Sequence, residues 1–526
     1  MPSAARIFGK HFPLPIPSEF ADEAHLLAYL GVSPAELKKI WWYRGRMYTQ
    51  FSIAKGGGKI RQITAPDKRL KILQSKLAPL LDQLYRVRNP VHGFVPARSV
   101  KTNAEAHGRR RFVVNLDLKD FFPTITENRV KGLLRSLGVD DRVAEIIARL
   151  CCFNSHLPQG AATSPVLSNM ICFRLDTELL RAAKDARSIY TRYADDITFS
   201  SYQPPSLLFE GALPAVGHFS PDMLAPSLRE TFRSNGFAVN PDKAHYADRN
   251  SRRVITGVKI NAGLNVDRRY IRHIRALLHS VERLGLEDAQ QKFAEAGGKG
   301  VIVEHLRGKI SYITHLKGPT DPVVRSLAAR FNKSFAGRPI NLAPTIEEQR
   351  DRAVWLVEHS AKGGQQGTAF FLKDVGLVTA SHCVEGVSDF TVYHPSKPTN
   401  RFEVTVAKRC PHRDLALLDH AIPATDYFEL EVADQPVTVG AAVTAFGYPG
   451  FGPGDAINVR AGSVTSLPVK SGVQMVEVSQ ELAQGMSGGP IVDEHNGIVG
   501  IIHKGGPEEA RQLAISIGVF QSWMAE

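Results

Sequence analysis

The stretch RFVVNLDLKDFFPTI (residues 111–125) decides the fold of the first part of the chain. Its apolar run, residues 112–116, is typical of a buried strand that delivers Asp117 to its end. A second stretch, RYADDITFS (residues 192–200), predicts two strands joined by a tight turn that carries Asp195 and Asp196. Three carboxylates from separate segments can bridge two Mg²⁺ ions in a phosphoryl transfer. We therefore expect Asp117, Asp195 and Asp196 to be metal-binding, catalytic residues.

The length and composition indicate a folded protein of more than one domain. At 526 residues the chain exceeds the size at which one hydrophobic core stops growing. No uncharged apolar stretch is long enough to span a bilayer, and the first residues contain no apolar segment typical of a secretory signal. The five cysteines are an odd number without paired zinc-ligand spacing, which favours a reducing compartment. We expect a cytoplasmic protein with no membrane partner.

The net charge of +13 is unevenly distributed. The first 350 residues carry 53 Lys+Arg and 32 Asp+Glu, a formal charge of +21, whereas residues 351–526 carry 12 and 20, a charge of −8. A positive field over the first part favours a polyanionic partner such as nucleic acid, because phosphate contacts release counterions. The alternative is that the basic residues are only solvated surface.

The segment SFAGRPINLAPT (residues 334–345) is the predicted linker, because Gly and Pro interrupt helix-like sequence just before the charge changes sign. Residues 1–333 mix helical patterns, such as residues 268–284, with short strands, which predicts an α+β fold. Residues 346–526 contain short β-rich runs separated by turns, which predicts a β barrel or sandwich.

The first part resembles reverse transcriptases. YADD is similar to their Y-x-D-D box, and NLDLKDFFPTI to their first catalytic motif. The resemblance implies a right-hand polymerase, with fingers and palm over about residues 40–260 and a thumb over about 262–333. It also implies substrate contacts: Arg61 in the fingers segment KIRQITAPDKRLKILQ with the incoming triphosphate, Gln159 and Gly160 in LPQGAATSPVLSN with the base pair, and Lys243 with the leaving phosphate. HLRGKISYI (residues 305–313) resembles the opening of a thumb helix.

Phe122 bears on the choice of sugar. It follows Asp117 by five positions, where the family places an aromatic ring beneath the ribose. A ring there would clash with a 2′ hydroxyl, so we expect dNTP substrates.

Two further motifs resemble the markers of retron reverse transcriptases. Asn103, Ala104 and His107 form N-A-x-x-H, and Ile255, Thr256 and Gly257 stand where that family has V-T-G. Retron enzymes copy part of a structured noncoding RNA into branched single-stranded DNA. The resemblance therefore implies this RNA and its DNA product as partners, with priming from a 2′ hydroxyl of the RNA.

The acidic part resembles trypsin-like serine proteases, which implies a chymotrypsin-like double barrel. GLVTASHCV, HRDLALL and AQGMSGGPIV supply His382, Asp414 and Ser487 in the chymotrypsin order of a catalytic triad. His382 would take the proton of Ser487, and Asp414 would fix the imidazole tautomer. Gly485 permits the turn whose N–H forms an oxyanion hole with that of Ser487.

Several assignments in the protease part stay open. Asp389 and Asp419 compete with Asp414 for the acid role, although Asp414 directly precedes the apolar run LALL. Glu481, and His503 with Lys504, are candidates to line the substrate pocket, and the protein substrate is unknown. Met486 replaces the Asp that receives a new N-terminus in zymogen-type relatives, so that activation switch cannot operate.

The sequence as a whole predicts a retron-like reverse transcriptase fused to a serine protease effector in anti-phage defence. One alternative is a group II intron or diversity-generating transcriptase with a processing protease. Another is a transcriptase fold that only binds RNA and regulates the protease. A homo-oligomer is compatible with the sequence.

Overall fold

A computed structural model describes residues 15–55, 59–359, 366–386, 390–452, 454–504 and 511–526; the side chains of residues 54, 55, 59–61 and 504 lie outside this description. The chain forms two compact units, Met1–Ile340 and Asn341–Glu526. Their boundary falls within the segment that the sequence assigns to a linker. No helix in the described ranges combines the length and apolar character needed to cross a membrane.

The described part of the first unit is rich in helices. Its α-helices are Glu23–Leu30 (α1), Pro34–Tyr43 (α2), Lys68–Gln83 (α3), Val100–Ala106 (α4), Glu127–Ser136 (α5), Asp141–Cys151 (α6), Ser164–Ile171 (α7), Phe173–Asp185 (α8), Pro226–Ser234 (α9), Arg268–Leu284 (α10), Leu286–Glu295 (α11), Ile302–Lys317 (α12) and Pro322–Ser334 (α13). Short 3₁₀ helices are Ser18–Phe20, Arg44–Arg46, Ser206–Leu208 and Pro221–Met223. The last four α-helices occupy the predicted thumb, and α10 begins at the side-chain cap of Asp267.

The strands of this unit form one central sheet and two hairpins. They are Tyr48–Lys55 (β1), Lys59–Pro66 (β2), Phe112–Asp117 (β3), Ile189–Tyr193 (β4), Asp196–Ser201 (β5), Gly217–His218 (β6), His245–Ala247 (β7), Val254–Ile255 (β8) and Val258–Lys259 (β9). The sheet has the order β4-β5-β3-β7-β6, while β1 pairs with β2 and β8 with β9. Strand β3 is central, so the residue that ends it meets β5 on one side.

The core explains why this sheet is rigid. Val114 and Leu116 of β3 and Ile197 and Phe199 of β5 are at most 1% exposed and belong to one apolar cluster with the surrounding helices. Burying side chains of this size contributes about 1.5–3 kcal/mol each. The strands that carry the acidic residues therefore have a fixed backbone.

The second unit is built almost entirely from strands. They are Val354–His359 (β10), Gln366–Leu372 (β11), Gly376–Ala380 (β12), Phe390–Tyr393 (β13), Phe402–Cys410 (β14), Leu415–Asp419 (β15), Ala442–Gly447 (β16), Asn458–Ser466 (β17), Val469–Lys470 (β18), Val473–Val478 (β19), Pro490–Val492 (β20), Ile498–Lys504 (β21) and Leu513–Ser516 (β22). The helices are Ile346–Ala353 (α14), Ile517–Ala525 (α15) and the 3₁₀ turn Ser381–Val384.

These strands make two barrels. The first closes in the order β10-β11-β12-β15-β14-β13. The second has the order β17-β16-β20-β21-β22-β19, and the pairing of β17 with β19 closes it. The predicted fold class, an α+β unit followed by an all-β double barrel, is confirmed.

Candidate active sites

The three acidic residues of the first unit meet at one end of the central sheet. Asp117 ends β3 and Asp196 begins β5, and the two lie directly opposite each other in the antiparallel register. Asp195 lies in the two-residue turn between β4 and β5, where its carbonyl accepts the Leu118 N–H over 3.0 Å. The sequence placed both Asp195 and Asp196 in this turn; Asp196 instead belongs to the strand.

Asp117 is only 4% exposed, so its charge needs a partner. The Lys243 ammonium bonds to Asp117 Oδ2, and Asn240 Nδ2 donates to Oδ1 over 3.3 Å. Two carboxylates on adjacent strands, with a third in the turn, are an oxygen-rich donor set of the kind that hard divalent cations prefer. The chemistry of these donors therefore fits a divalent metal.

Buried polar residues hold the β4–β5 turn in place. Ala194 has a φ of +57°, which is uncommon for a residue other than glycine. Arg192, fully buried, donates from Nη1 to the Ala194 carbonyl at 3.1 Å and forms an ion pair with buried Asp176 at 2.7 Å. A Cβ added to Gly93 would lie 2.3 Å from the Ala194 nitrogen, so this close approach requires glycine. Sequence reasoning assigned no role to Arg192, Asp176 or Gly93.

A cavity of about 670 Å³ lies against Asp117 and Asp195, and Phe122 and Gln159 also line it. The Gln159 carbonyl accepts the N–H of Thr64 in β2 over 2.9 Å. This bond joins the predicted fingers to the predicted positioning segment, and the cavity has room for a nucleotide beside the carboxylates.

Gly160 and Arg61 are two further predicted substrate contacts. Gly160 has a φ of +136°, and a Cβ there would lie 3.0 Å from the Thr64 carbonyl oxygen, so the turn favours glycine. Arg61 lies in β2 opposite Ile53, but its side chain is outside the described residues. Its contact with a triphosphate stays a prediction.

The two retron-like motifs pack on the same part of the central sheet. His107 is fully buried and bonds to Ser200 Oγ at 2.6 Å and Thr191 Oγ1 at 2.7 Å. Asn103 Nδ2 donates to Thr256 Oγ1 at 3.3 Å, which connects the motifs across 153 positions. Of the remaining motif residues, Ala104 and Ile255 are buried, and Gly257 adopts a φ of +83°.

A second cavity, of about 550 Å³, lies beside these motifs. Thr256 and Gly257 line it together with Asp117, Asp196 and Lys243. Thr256 and Gly257 of the second motif therefore border the same cavity as Asp117 and Asp196.

In the second unit the triad residues come from both barrels. His382 lies in the 3₁₀ turn after β12, Asp414 just before β15, and Ser487 between β19 and β20. His382 Nδ1 is 2.9 Å from Asp414 Oδ1 and 2.8 Å from Oδ2, and the His382 backbone N–H also donates to Oδ1. Ser487 is 7% exposed, and its carbonyl accepts the Thr368 N–H over 2.9 Å.

No hydrogen bond joins the Ser487 hydroxyl to His382 within the described residues. Catalytic hydrogen bonds often tighten only when substrate binds. The structure thus holds the His–Asp half of the triad bonded before substrate arrives.

The loop before Ser487 carries the two predicted oxyanion-hole donors. Gly485 has a φ of +95°, and a Cβ there would lie 2.6 Å from the Tyr448 carbonyl oxygen. Its own carbonyl accepts the Thr368 hydroxyl over 2.7 Å, which fixes the orientation of the peptide. Among the described residues, neither the Gly485 N–H nor the Ser487 N–H has a protein acceptor, so both can donate to a substrate oxyanion.

The other candidates for the acid role lie elsewhere. Asp419 is exposed at the far end of β15, and Asp389 is outside the described residues. Asp414 is therefore the carboxylate that contacts His382.

Met486 is fully buried in an apolar cluster with Leu482 and Val443.

His503 makes a contact that the sequence did not predict, and its place in the substrate pocket stays a prediction. Its Nδ1 lies 2.6 Å from Asp414 Oδ2, so Asp414 accepts from two imidazoles. Glu481, another predicted pocket residue, is 78% exposed at its side chain, with Arg460 Nη1 3.6 Å from Oε2. The Lys504 side chain lies outside the described residues.

The electrostatics of the triad follow from these contacts. Burial would raise the pKa of Asp414, but the hydrogen bonds from His382 and His503 hold it below its usual value. Burial alone would lower the pKa of His382, but the interactions with Asp414 and Cys383 together outweigh this effect and raise that pKa to about 10. Asp414 is thus an ionised acceptor that stabilises the imidazolium form of His382.

Comparisons with known proteins agree with both sites. Residues 53–260 match the family model "Reverse transcriptase (RNA-dependent DNA polymerase)". The retron Mx65 reverse transcriptase of Myxococcus xanthus is 35% identical over 316 residues, covering 56% of this chain and 68% of that protein. The retron Ec86 reverse transcriptase of Escherichia coli is 30% identical over 307 residues, covering 58% and 86%.

This chain belongs to the retron reverse transcriptase family. The retron enzyme described here carries a second catalytic unit, since residues 367–501 match the "Trypsin-like peptidase domain" model. The serine protease MT3772 of Mycobacterium tuberculosis is 33% identical over 147 residues, which cover 26% of this chain and 35% of that protein. The chain therefore combines a reverse transcriptase domain with a trypsin-like serine protease domain, and reverse transcriptases generally use a divalent metal.

Proposed function

We propose that the first unit makes branched RNA/single-stranded DNA from a structured noncoding RNA, and that the fused protease is the effector of an anti-phage defence system. The observation that carries the first half is the contact of Asn103 with Thr256 at the wall of a cavity that also contains Asp117 and Asp196. This contact joins both retron-like motifs to the centre where a primer hydroxyl must lie. A group II intron enzyme and a diversity-generating enzyme are less favoured, because neither type of transcriptase needs the retron-like motifs beside Asp117 and Asp196.

The proposed reaction is a phosphoryl transfer. A 2′ oxygen of the RNA forms a bond to the α-phosphorus of a dNTP, the bond from that phosphorus to the bridging oxygen breaks, pyrophosphate leaves, and the hydroxyl proton passes to solvent. Asp117, Asp195 and Asp196 would hold two Mg²⁺ ions, which supply charge stabilisation for the attacking and leaving oxygens. Lys243, now bonded to Asp117, is within reach of the same centre and would approach the leaving phosphate.

The substrates follow from the cavity and the charge. Phe122 lies within the 670 Å³ cavity and packs against Phe121 with a ring-centroid distance of 5.2 Å, which favours dNTPs by excluding a 2′ hydroxyl. The formal charge of +21 on residues 1–350 supports a polyanionic RNA partner.

The effector role of the protease rests on the triad and on Met486. Met486 stands where zymogen-type relatives have the Asp that receives a new N-terminus, and it is buried among apolar residues, so that switch cannot operate. The His–Asp pair and the predicted oxyanion donors are in place without cleavage of an N-terminus, so control of proteolysis must come from elsewhere. We propose that the transcriptase with its RNA/DNA product represses proteolysis until infection disturbs that product.

Phage challenge of cells that carry variants of the full chain tests this proposal. Ser487→Ala should retain DNA synthesis yet lose defence and toxicity. Asp195→Asn should lose both DNA and defence, and cell growth shows whether the protease has been freed or has become unresponsive. If Ser487→Ala protects cells as well as wild type, the protease is not the effector.

A further inference from the structure

Two cavities meet at the polymerase carboxylates. The 670 Å³ cavity and the 550 Å³ cavity share Asp117, Asp196 and Lys243 as lining residues. Phe122 and Gln159 belong only to the first, which makes it the nucleotide side. Since phosphoryl transfer needs a second substrate at the same carboxylates, the 550 Å³ cavity is where the priming group would lie.

A row of polar residues crosses the sheet and ends in this second cavity. Asn115 of β3 pairs with Thr198 of β5 on one side and with His245 of β7 on the other, and His245 pairs with His218 of β6. Residues directly opposite each other in a sheet share a face, and Asn115 shares its face with Asp117 two positions later. The two histidines therefore extend the catalytic face of the sheet.

The inner members of the row already have partners, whereas the histidines do not. Thr198 Oγ1 donates to Asn115 Oδ1 at 3.0 Å, and Asn115 Nδ2 donates to the Val254 carbonyl at 2.8 Å. His218 and His245 contact each other edge to face, with ring centroids 5.5 Å apart. Among the described residues, neither imidazole makes a hydrogen bond or an ion pair.

Groups of both signs surround the histidines in this cavity. Burial, and then the nearby His218, lower the pKa of His245, so an adjacent negative charge would restore its affinity for a proton. Arg252 lines the same cavity and is held by Asp267 at 2.8 Å. Arg252 and an imidazole that gains a proton would offset part of the repulsion that Asp117, Asp196 and Asp242 exert on a phosphate.

We propose that His218 and His245 form an initiation subsite that binds the phosphodiester next to the priming 2′ hydroxyl of the noncoding RNA. The inference rests on the proposed function, because only an internal priming nucleotide has a phosphodiester on both its 5′ and its 3′ side. A DNA primer end has no 3′ phosphodiester beside the reacting oxygen. The subsite should therefore matter for adding the first nucleotide and not for later elongation.

Variants at His218, which is exposed, separate these two steps. His218→Phe keeps an aromatic ring and removes the hydrogen-bonding nitrogens, whereas His218→Arg supplies N–H donors and a fixed positive charge. RNA that copurifies with the wild-type chain would be sequenced, transcribed in vitro and used to assay addition of the first nucleotide. Oligo(dT) annealed to poly(rA) assays elongation with the same full-length protein.

We expect His218→Phe to slow addition of the first nucleotide by about tenfold or more, as for loss of one charge-assisted hydrogen bond, while elongation changes by less than about twofold. His218→Arg should recover most of the loss, and His25→Phe on α1 should behave as wild type. An equal effect on both steps, or none on either, overturns the subsite. If the wild-type chain elongates oligo(dT) but adds nothing to any RNA, the proposed function itself fails and the subsite falls with it.

Discussion

Arg192 and Asp176 form a doubly bonded ion pair, Nε to Oδ1 and Nη2 to Oδ2 both at 2.7 Å, in which neither side chain is exposed. Arg192 also bonds to Asn169 and to the Ala194 carbonyl. The pair therefore links helix α8 to the turn that presents Asp195. A buried pair of this kind fixes geometry more than it adds stability, because desolvation offsets most of the Coulomb attraction.

Replacing Asp176 should be far more damaging than its distance from the chemistry suggests. Asp176→Ala leaves the Arg192 guanidinium buried without its counter-ion, which costs about 3–5 kcal/mol. We expect faster hydrogen exchange in β4 and β5 and loss of polymerase activity. Glu230→Ala is the matched control, since it breaks an exposed pair with Arg233 that contributes at most about 1 kcal/mol. Similar exchange rates in the two variants would contradict the anchoring role.

Phe122→Ala should weaken the discrimination against ribonucleotides. Removal of the ring from the 670 Å³ cavity leaves space for a 2′ hydroxyl, so we expect ribonucleotide incorporation to rise by about tenfold or more relative to dNTP incorporation. Single-nucleotide extension assays measure this ratio, and Phe122→Tyr, which keeps the ring, should retain wild-type selectivity. An unchanged ratio for Phe122→Ala would remove this residue from sugar selection.

The protease should be more active at alkaline pH. The raised pKa of His382 keeps its imidazole protonated at neutral pH, and only the neutral imidazole can take the Ser487 proton. The rate of proteolysis should therefore rise as the pH approaches about 10. The rate at which a fluorophosphonate labels Ser487 measures this profile without knowledge of the protein substrate.

Removal of the second imidazole should shift that profile. His503→Ala removes one hydrogen-bond donor from Asp414, so its carboxylate interacts more strongly with the imidazolium of His382. The pKa of His382 should rise further, and the increase in labelling rate should shift to higher pH. His495→Ala, at an 84% exposed side chain, is the control. Coincident profiles for His503→Ala and wild type would show that His503 does not tune the triad.

The sequence predicted the parts of each site that are local in the chain. An apolar strand followed by an acidic residue can be recognised from a few consecutive residues, and β3 ends at Asp117 as those residues predict. The α+β and β-rich character of the two parts could be predicted for the same reason, because strand and helix periods are local signals, whereas the double barrel was implied by the resemblance to serine proteases. Helix α10 likewise spans the predicted residues 268–284.

The supporting contacts could not be predicted because they join distant positions. His503 lies 89 residues from Asp414, and a single window gave it only its nearness to the pocket segment. Asn103 and Thr256 belong to two separate sequence motifs, and the hydrogen bond between them could not be predicted because it spans 153 residues. No side chain fits at Gly93 because the Ala194 backbone lies against it, and this steric constraint exists only in the folded chain.

Characterisation of DNA bound to the purified chain tests the central proposal most directly. Wild-type and Asp195→Asn proteins would be isolated with their nucleic acid, and the DNA end-labelled and analysed before and after ribonuclease treatment. We predict single-stranded DNA that migrates faster after ribonuclease treatment, because RNA is covalently attached, and no such DNA with Asp195→Asn. Wild-type DNA whose migration ribonuclease leaves unchanged, or the same labelled DNA from Asp195→Asn, would contradict RNA-primed synthesis at these carboxylates.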